Sequence, residues 1–155
     1  MKAVETKENS MPSAGTKQDE ANLILRLYEI RRDEVFRKAR TWFDTEFKPK
    51  SAQDILAVFG GGYAESEYLR MVLSYWEMVA ALVNYGSIDA DLLHATNVEH
   101  MRYFAKIEPF LAEIREAVGE DFLPELEKAV KTAPDFEQKL IGWRELNKSW
   151  TNTED

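Results

Sequence analysis

The sequence predicts an all-α fold, an irregular bundle of about five to six helices around a central apolar helix at residues 64–85. Apolar residues recur in several stretches at the 3–4 spacing of a buried helical face. Glycine and proline are scarce, with seven and five among 155 residues, and charged residues are interspersed with apolar ones. This composition favours helices over strands. No segment shows a convincing period-two alternation of apolar and polar residues, which would indicate a strand.

The first part of the chain predicts a tail and one long helix. Residues 1–17 combine Ser, Pro, Gly, Thr and charge without periodicity, so we expect a disordered N-terminal tail. Residues 19–47 are predicted to form a single helix that ends before Pro49, because the residue preceding a proline is disfavoured in helical conformation. Its apolar stripe consists of Leu23, Leu27, Ile30, Val35, Ala39, Trp42 and Phe43.

A short helix is predicted at residues 51–59, with Ser51 as its N-cap and Asp54 as the acidic member of a capping box. The three glycines at 60–62 then break the chain. Neither the GxxxxGK[S/T] nor the GxGxxG pattern surrounds them, so a helix end followed by a joint is favoured over a phosphate loop.

The central helix at residues 64–85 is apolar on most sides. Its polar residues form a narrow strip, and Gly86 follows it at the position typical of a helix C-terminus. Arg70 and Glu77 within the helix argue against a membrane span, because each such charge costs about 2.5 kcal/mol or more in a bilayer. The strip consists of Arg70, Ser74, Glu77 and Asn84.

Further helices are predicted at residues 89–96, 98–118, 121–132 and 135–149, and residues 151–155 should fray. Ser87 or Asp89 is the expected N-cap of the first of these, and Asn97 or Thr96 that of the second. Pro109 should kink the second helix or start a new segment there. Residues 18–150 are therefore expected to form one helical domain.

The formal charge of −8 disfavours nucleic-acid binding, which needs a basic surface. Residues 26–50 depart from this balance, with eight basic residues against five acidic ones, a local charge of +3. This segment is either a solvated helix face with pairs such as Glu34 and Lys38, or a basic strip for an acidic partner or an anionic lipid surface. No apolar run is long enough for a membrane span, and the N-terminus lacks a secretory signal, which favours a cytoplasmic protein.

Three segments and two single residues carry a resemblance to a known family. They are YWEMV at residues 75–79, GSIDADLL at 86–93, MRYF at 101–104, and the positions of Pro109 and Arg115. This order, over about a third of the chain, resembles a bacterial all-helical family known as domain of unknown function family 4760. The resemblance implies a helical fold and carries over no catalytic residue.

Glu77 is the leading candidate for a functional polar residue, because Trp76 and Met78 flank it on an apolar helix. Three interpretations stay open: a wet strip on the helix surface, a buried structural ion pair with Arg102 or Arg115, and a ligand-binding or catalytic role. Burial without a partner would raise its pKa, since desolvation disfavours the charged form. Glu77, Arg102, Tyr103 and Arg115 are therefore the candidate ligand-binding or structural polar residues.

The sequence gives little support for cysteine chemistry, metal binding or nucleophilic catalysis. The absence of cysteine excludes disulfides, thiol chemistry and cysteine-ligated zinc. His94 and His100 are six residues apart, unlike the spacing of three or four of metal-binding histidines on one helix, and Glu99 alone beside them makes a weak site. No nucleophile motif occurs. We therefore predict no catalytic residues, no metal and no cofactor.

These observations favour a non-enzymatic protein-interaction or regulatory module that binds a protein partner or self-associates as a homodimer. Trp150, near the C-terminus, is a candidate exposed anchor for such a partner. One alternative is a small-molecule-binding protein or enzyme with a polar site between helices near Glu77. Another is peripheral membrane association through the basic strip of the first helix.

Overall fold

The computed structural model describes the backbone of residues 14–151 and the side chains of residues 17–148. Within this range the chain forms nine α-helices and one 3-10 turn, and no strand occurs there. The helices are α1 (Ala14–Ile30), α2 (Glu34–Thr45), α3 (Ala52–Phe59), α4 (Ala64–Asn84), α5 (Ala90–Thr96), α6 (Glu99–Ile107), α7 (Leu111–Val118), α8 (Pro124–Lys131) and α9 (Phe136–Thr151). The 3-10 turn, Glu108–Phe110, lies between α6 and α7.

Helix α4 is the centre of the molecule, as predicted. It packs mainly against α2 and α8 and also against α3, while α6 packs against α8 and α9. Seven apolar residues at the 3–4 spacing of one helical face are buried, and the all-α fold around this helix is confirmed. They are Leu69, Val72, Leu73, Trp76, Val79, Ala80 and Val83.

The predicted single helix at residues 19–47 is wrong, because α1 and α2 are separate helices joined by a turn at residues 31–33. Asp33 ends the continuity: it is the N-cap of α2, and its carboxylate accepts a hydrogen bond from the Phe36 amide at 3.0 Å. The turn changes the helical phase. Ile30 and Val35, predicted in the stripe, are 44% and 49% exposed, whereas Phe36 is buried.

The second half also contains more helices than predicted. Pro109 divides the predicted helix at residues 98–118 into α6, the 3-10 turn and α7. The expected cap by Asn97 or Thr96 is wrong, because Val98 holds the N-cap position of α6 without a side-chain hydrogen bond. The Asn97 side chain instead accepts a hydrogen bond from Arg31.

The ends of the domain are only partly described. Helix α1 begins at Ala14, five residues before its predicted start at residue 19. Residues 1–13 and 152–155 lie outside the described residues, as does the side chain of Trp150, so the predictions made for them stay predictions. Across residues 14–151, no helix combines the length and apolar character that crossing a membrane requires.

Candidate functional site

Glu99, the first residue of α6, is buried at the centre of a cluster of partly buried arginines. It is 3% exposed. Its carboxylate accepts hydrogen bonds from Arg31 Nη2 at 2.8 Å and from Arg40 Nη2 at 2.6 Å. Trp76 Nε1 on α4 donates to the same carboxylate at 3.2 Å, and Arg102 Nη2 lies 3.8 Å away. One carboxylate thus joins the α1–α2 turn, α2, α4 and α6.

Arg31 is held from several sides. Its guanidinium lies 5.5 Å from the Trp76 ring centroid and 5.8 Å from that of Tyr28, both within the range of cation–π attraction. Nη1 donates to Asn97 Oδ1 at 2.8 Å. Nε is buried and has no hydrogen-bond partner among the described residues. The guanidinium is therefore held in a fixed orientation, with its Nε inside the protein.

Arg40 and Arg102 complete the cluster. Burial opposes the charge of Arg40, but its hydrogen bond and attraction to Glu99 raise its pKa on balance. Arg102 pairs with Asp44 at 3.1 Å, and its guanidinium lies 5.2 Å from the Tyr103 ring centroid. Burial raises the pKa of Asp44, an effect that Arg102 opposes, and burial also raises the pKa of Tyr103.

Four arginines and one tyrosine line a cleft over this cluster, which we call the arginine cleft. Its volume is about 400 Å³, and its lining residues are Tyr28, Arg31, Arg32, Arg37 and Arg40. Arg32 and Arg37 are exposed, and no carboxylate lines the cleft among the described residues. Four of the eight basic residues in the segment at 26–50 therefore line one concave surface.

A second cleft adjoins the first, because Tyr28 and Arg31 line both. We call it the apolar cleft; its volume is about 300 Å³. Its lining residues are Ile24, Leu25, Leu27, Tyr28, Arg31, Tyr75, Trp76, Val79, Leu93, Thr96 and Asn97. The Tyr75 hydroxyl donates to the Leu27 carbonyl at 2.8 Å, and burial raises the pKa of Tyr75 to about 12.

The four polar residues singled out from the sequence do not form one site. Arg102 and Tyr103 lie beside Asp44, as described above. Glu77 Oε1 and Oε2 accept hydrogen bonds from the backbone amides of Glu125 and Leu126 at 2.9 and 2.7 Å. Burial raises the Glu77 pKa, and these two amides oppose the rise. Glu77 therefore caps the N-terminus of α8 and forms no ion pair with Arg102 among the described contacts.

Arg115 contacts the segment at the start of α8. It donates to the carbonyl of Phe122 at 3.0 Å and pairs with Glu127 at 3.0 Å. The pairing lowers the pKa of Glu127, although burial opposes the shift. These contacts tie the end of α7 to the start of α8.

The two histidines lie against each other. His94 Nδ1 is 2.9 Å from His100 Nε2, and His94 Nε2 is 3.1 Å from Thr132 Oγ1. Burial lowers the His100 pKa to about 3, and the pKa of His94 is lowered by the same cause. No group of three His, Asp or Glu side chains suited to a metal ion occurs among the described residues.

Lys106 lines a third cleft of about 370 Å³ with Pro49, Pro109 and Phe110. Burial lowers its pKa to about 8. Its Nζ donates to the carbonyls of Phe43 and Phe47 at 2.6 and 2.9 Å, near the end of α2. These contacts indicate a structural role, since a cation at a helix C-terminus satisfies free carbonyls.

Comparison with known proteins adds a family and no activity. A family model described as "Domain of unknown function (DUF4760)" matches residues 19–133, about three quarters of the chain. No curated protein and no solved structure matches the chain.

Proposed function

We propose that this chain, which belongs to the DUF4760 family, is a non-enzymatic regulatory module that binds a small organic anion in the arginine cleft. The observation that carries the proposal is the convergence of Arg31, Arg32, Arg37 and Arg40 on one concave surface. A guanidinium presents a planar fork of donors that matches carboxylate and phosphate groups. Binding of such an anion would offset the mutual repulsion of these arginines.

The charge of the cluster supports this proposal. The arginine cleft and the Glu99 cluster together contain five arginines, counting Arg102, whereas Glu99 and Asp44 are the carboxylates that pair with three of them. The cluster therefore keeps a net positive charge in a protein whose formal charge is −8. An anion bound here would contact both the α1–α2 turn and α2, and would stabilise their relative position, which is how binding could be transmitted to a partner.

Isothermal titration of the protein with inorganic phosphate at low ionic strength tests this function. Arg37→Gln removes an exposed cleft arginine, and Lys128→Gln, on the exposed face of α8, is the matched control. We expect about tenfold weaker binding in Arg37→Gln, since a charged hydrogen bond contributes about 1.5 kcal/mol or more. Equal affinities in the two variants would contradict the proposal.

Self-association is a second candidate, and the exposed apolar side chains of the α1–α2 region favour it. Leu25, Tyr28, Ile30 and Val35 are all large, apolar and exposed within eleven residues. A homodimer that covers this surface would follow the usual preference for burying such residues. Sedimentation of the protein at micromolar concentration tests it: we expect the mass of a dimer, and the mass of a monomer for the Ile30→Ser/Val35→Ser variant.

The remaining alternatives have less support. The carboxylate of Glu77 already caps α8, which leaves a ligand-binding role there without an observation in its favour. Peripheral membrane association would use the same arginines, and sedimentation with anionic vesicles at low salt tests it. The cytoplasmic location stays a prediction that fractionation of cells would check.

A further inference from the structure

The arginine cleft and the apolar cleft lie side by side and share two lining residues, Tyr28 and Arg31. We propose that they form one binding site for an amphipathic organic anion, with a phosphate or carboxylate head on the arginines and a short alkyl or aryl tail in the apolar cleft. This inference rests on the proposed function, because it assumes that the arginines hold the head group.

Three polar groups that line the apolar cleft already have partners inside the protein. The Tyr75 hydroxyl donates to Leu27, Trp76 Nε1 donates to Glu99, and the Thr96 hydroxyl donates to the carbonyl of Leu92 at 2.8 Å. A polar tail would therefore find few free partners, whereas an apolar tail would contact the side chains of Ile24, Leu25 and Val79. Burial of apolar surface is the interaction that this cleft offers.

Arg31 lies at the junction and fixes a positive charge there, beside the exposed Arg32 and Arg37 that are open to the head group. Its Nη1 and Nη2 atoms are engaged by Asn97 and Glu99, and its Nε is buried. Tyr28 and Trp76 flank the guanidinium, so it is already oriented before a ligand arrives. Such preorganisation reduces the entropy that binding would lose.

The volumes of the two clefts limit the size of the ligand. At about 300 and 400 Å³ the two clefts lie at the lower end of the range of about 300–1,000 Å³ typical of small-molecule pockets. This space fits a tail of a few carbons or one ring rather than the two long chains of a membrane lipid. We therefore favour a free amphiphile over a lipid in a bilayer.

Titration calorimetry with methyl, butyl and hexyl phosphate tests the inference. Each methylene that leaves water contributes up to about fourfold in affinity, so hexyl phosphate should bind far more tightly than methyl phosphate. Leu25→Ser should weaken hexyl phosphate severalfold and leave methyl phosphate unchanged. Ile141→Ser is the matched control, because Leu25 and Ile141 are 62% and 55% exposed and Ile141 lies on α9.

The outcomes separate this inference from the function on which it rests. Binding of all three phosphates with equal affinity, weakened by Arg37→Gln, would overturn the inference and leave the proposed function standing. No binding of any phosphate would overturn both. Equal affinity for hexanol and hexyl phosphate would show that the head group is not held, which also overturns both. If the protein sediments with phosphatidate vesicles and hexyl phosphate does not displace it from them, the ligand is a membrane lipid. That result would overturn the inference of a free amphiphile.

Discussion

At the scale of single residues, Glu99 explains how three partly buried arginines, Arg31, Arg40 and Arg102, can lie close together. A buried carboxylate is tolerated when cations and hydrogen-bond donors surround it. Glu99 receives donors from Arg31, Arg40 and Trp76, and Arg102 lies near it. Because these residues belong to different helices, the carboxylate fixes which faces of those helices meet.

Glu99→Gln should lower the free energy of unfolding by about 3–5 kcal/mol, the usual effect of removing one partner from a buried ion pair. The arginines would then repel one another without a central anion. Urea denaturation at neutral pH measures the loss. The control is Glu34→Gln, whose pair with Lys38 is exposed and should contribute at most about 1 kcal/mol. Losses of similar size in the two variants would contradict the central role of Glu99.

Glu77→Gln should lower stability by about 1 kcal/mol, the usual effect of losing a helix N-cap. Leu123 occupies the N-cap position of α8 and supplies no side-chain hydrogen bond, so the Glu77 carboxylate satisfies the first free amides of this helix from α4. Thermal denaturation of Glu77→Gln beside Glu65→Gln measures the effect. Equal melting temperatures would show that this cap contributes nothing.

The residues of the site were harder to predict from the sequence than the residues of the core. Glu99 is separated from Arg31 by 68 residues and from Arg40 by 59, and no local pattern reports a contact over that distance. An acidic residue in the first turn of a helix also has a local explanation, because it interacts favourably with the helix dipole. The one available signal was the local charge of +3 at residues 26–50, which indicated a basic strip but not its shape.

At the scale of elements, the sequence predicted helices well where a cap or a glycine marks their ends. The predicted central helix at residues 64–85 is α4, Ala64–Asn84, and Gly86 follows it with a φ of +89°. Ser51 and Asp89 cap α3 and α5 as expected. The break between α1 and α2 was missed because the apolar spacing continues across it, although Asp33 carried the signal of an N-cap.

Asp33→Ala tests the importance of that break. The carboxylate of Asp33 satisfies the Phe36 amide at the start of α2, and we expect a loss of about 1 kcal/mol when it is removed. Anion affinity should fall as well, because Arg37 and Arg40 depend on the position of α2. Denaturation and phosphate titration measure the two effects, with Asp121→Ala at an exposed position as the control. Unchanged stability would indicate that the turn is held by its tertiary contacts alone.

At the scale of the whole molecule, two buried polar clusters join helices that are distant in the sequence. Glu99 and its arginines connect the N-terminal helices to α4 and α6. The histidine pair connects α5 and α6, and through Thr132 the end of α8. His100 also lies beside Trp76, with ring centroids 5.5 Å apart. The stability of the complete fold should therefore respond to the protonation of these two rings.

The sign of that response follows from the direction of the pKa shift. Burial, together with the nearby charges of His94, Arg31 and Lys139, lowers the His100 pKa from 6.5 to about 3. Below pH 6.5 the unfolded chain binds a proton that the folded chain does not, so stability is lost as the pH falls from 6.5 towards 3. One such proton corresponds to about 1.4 kcal/mol per pH unit.

Chemical denaturation of the wild type and of His100→Gln measures this dependence. The measurements are made at pH 7.5, 6 and 5, which roughly span the ordinary pKa of histidine. We expect the variant to be less stable at pH 7.5, because the contact with His94 is weakened, and to lose less stability on acidification. The carboxylates that also titrate near pH 5 are common to both proteins, so the difference between the two curves isolates the histidine pair. Parallel curves of stability against pH for the two proteins would show that protonation of His100 does not destabilise the folded state. This result would contradict the role of the histidine pair in joining α5, α6 and α8.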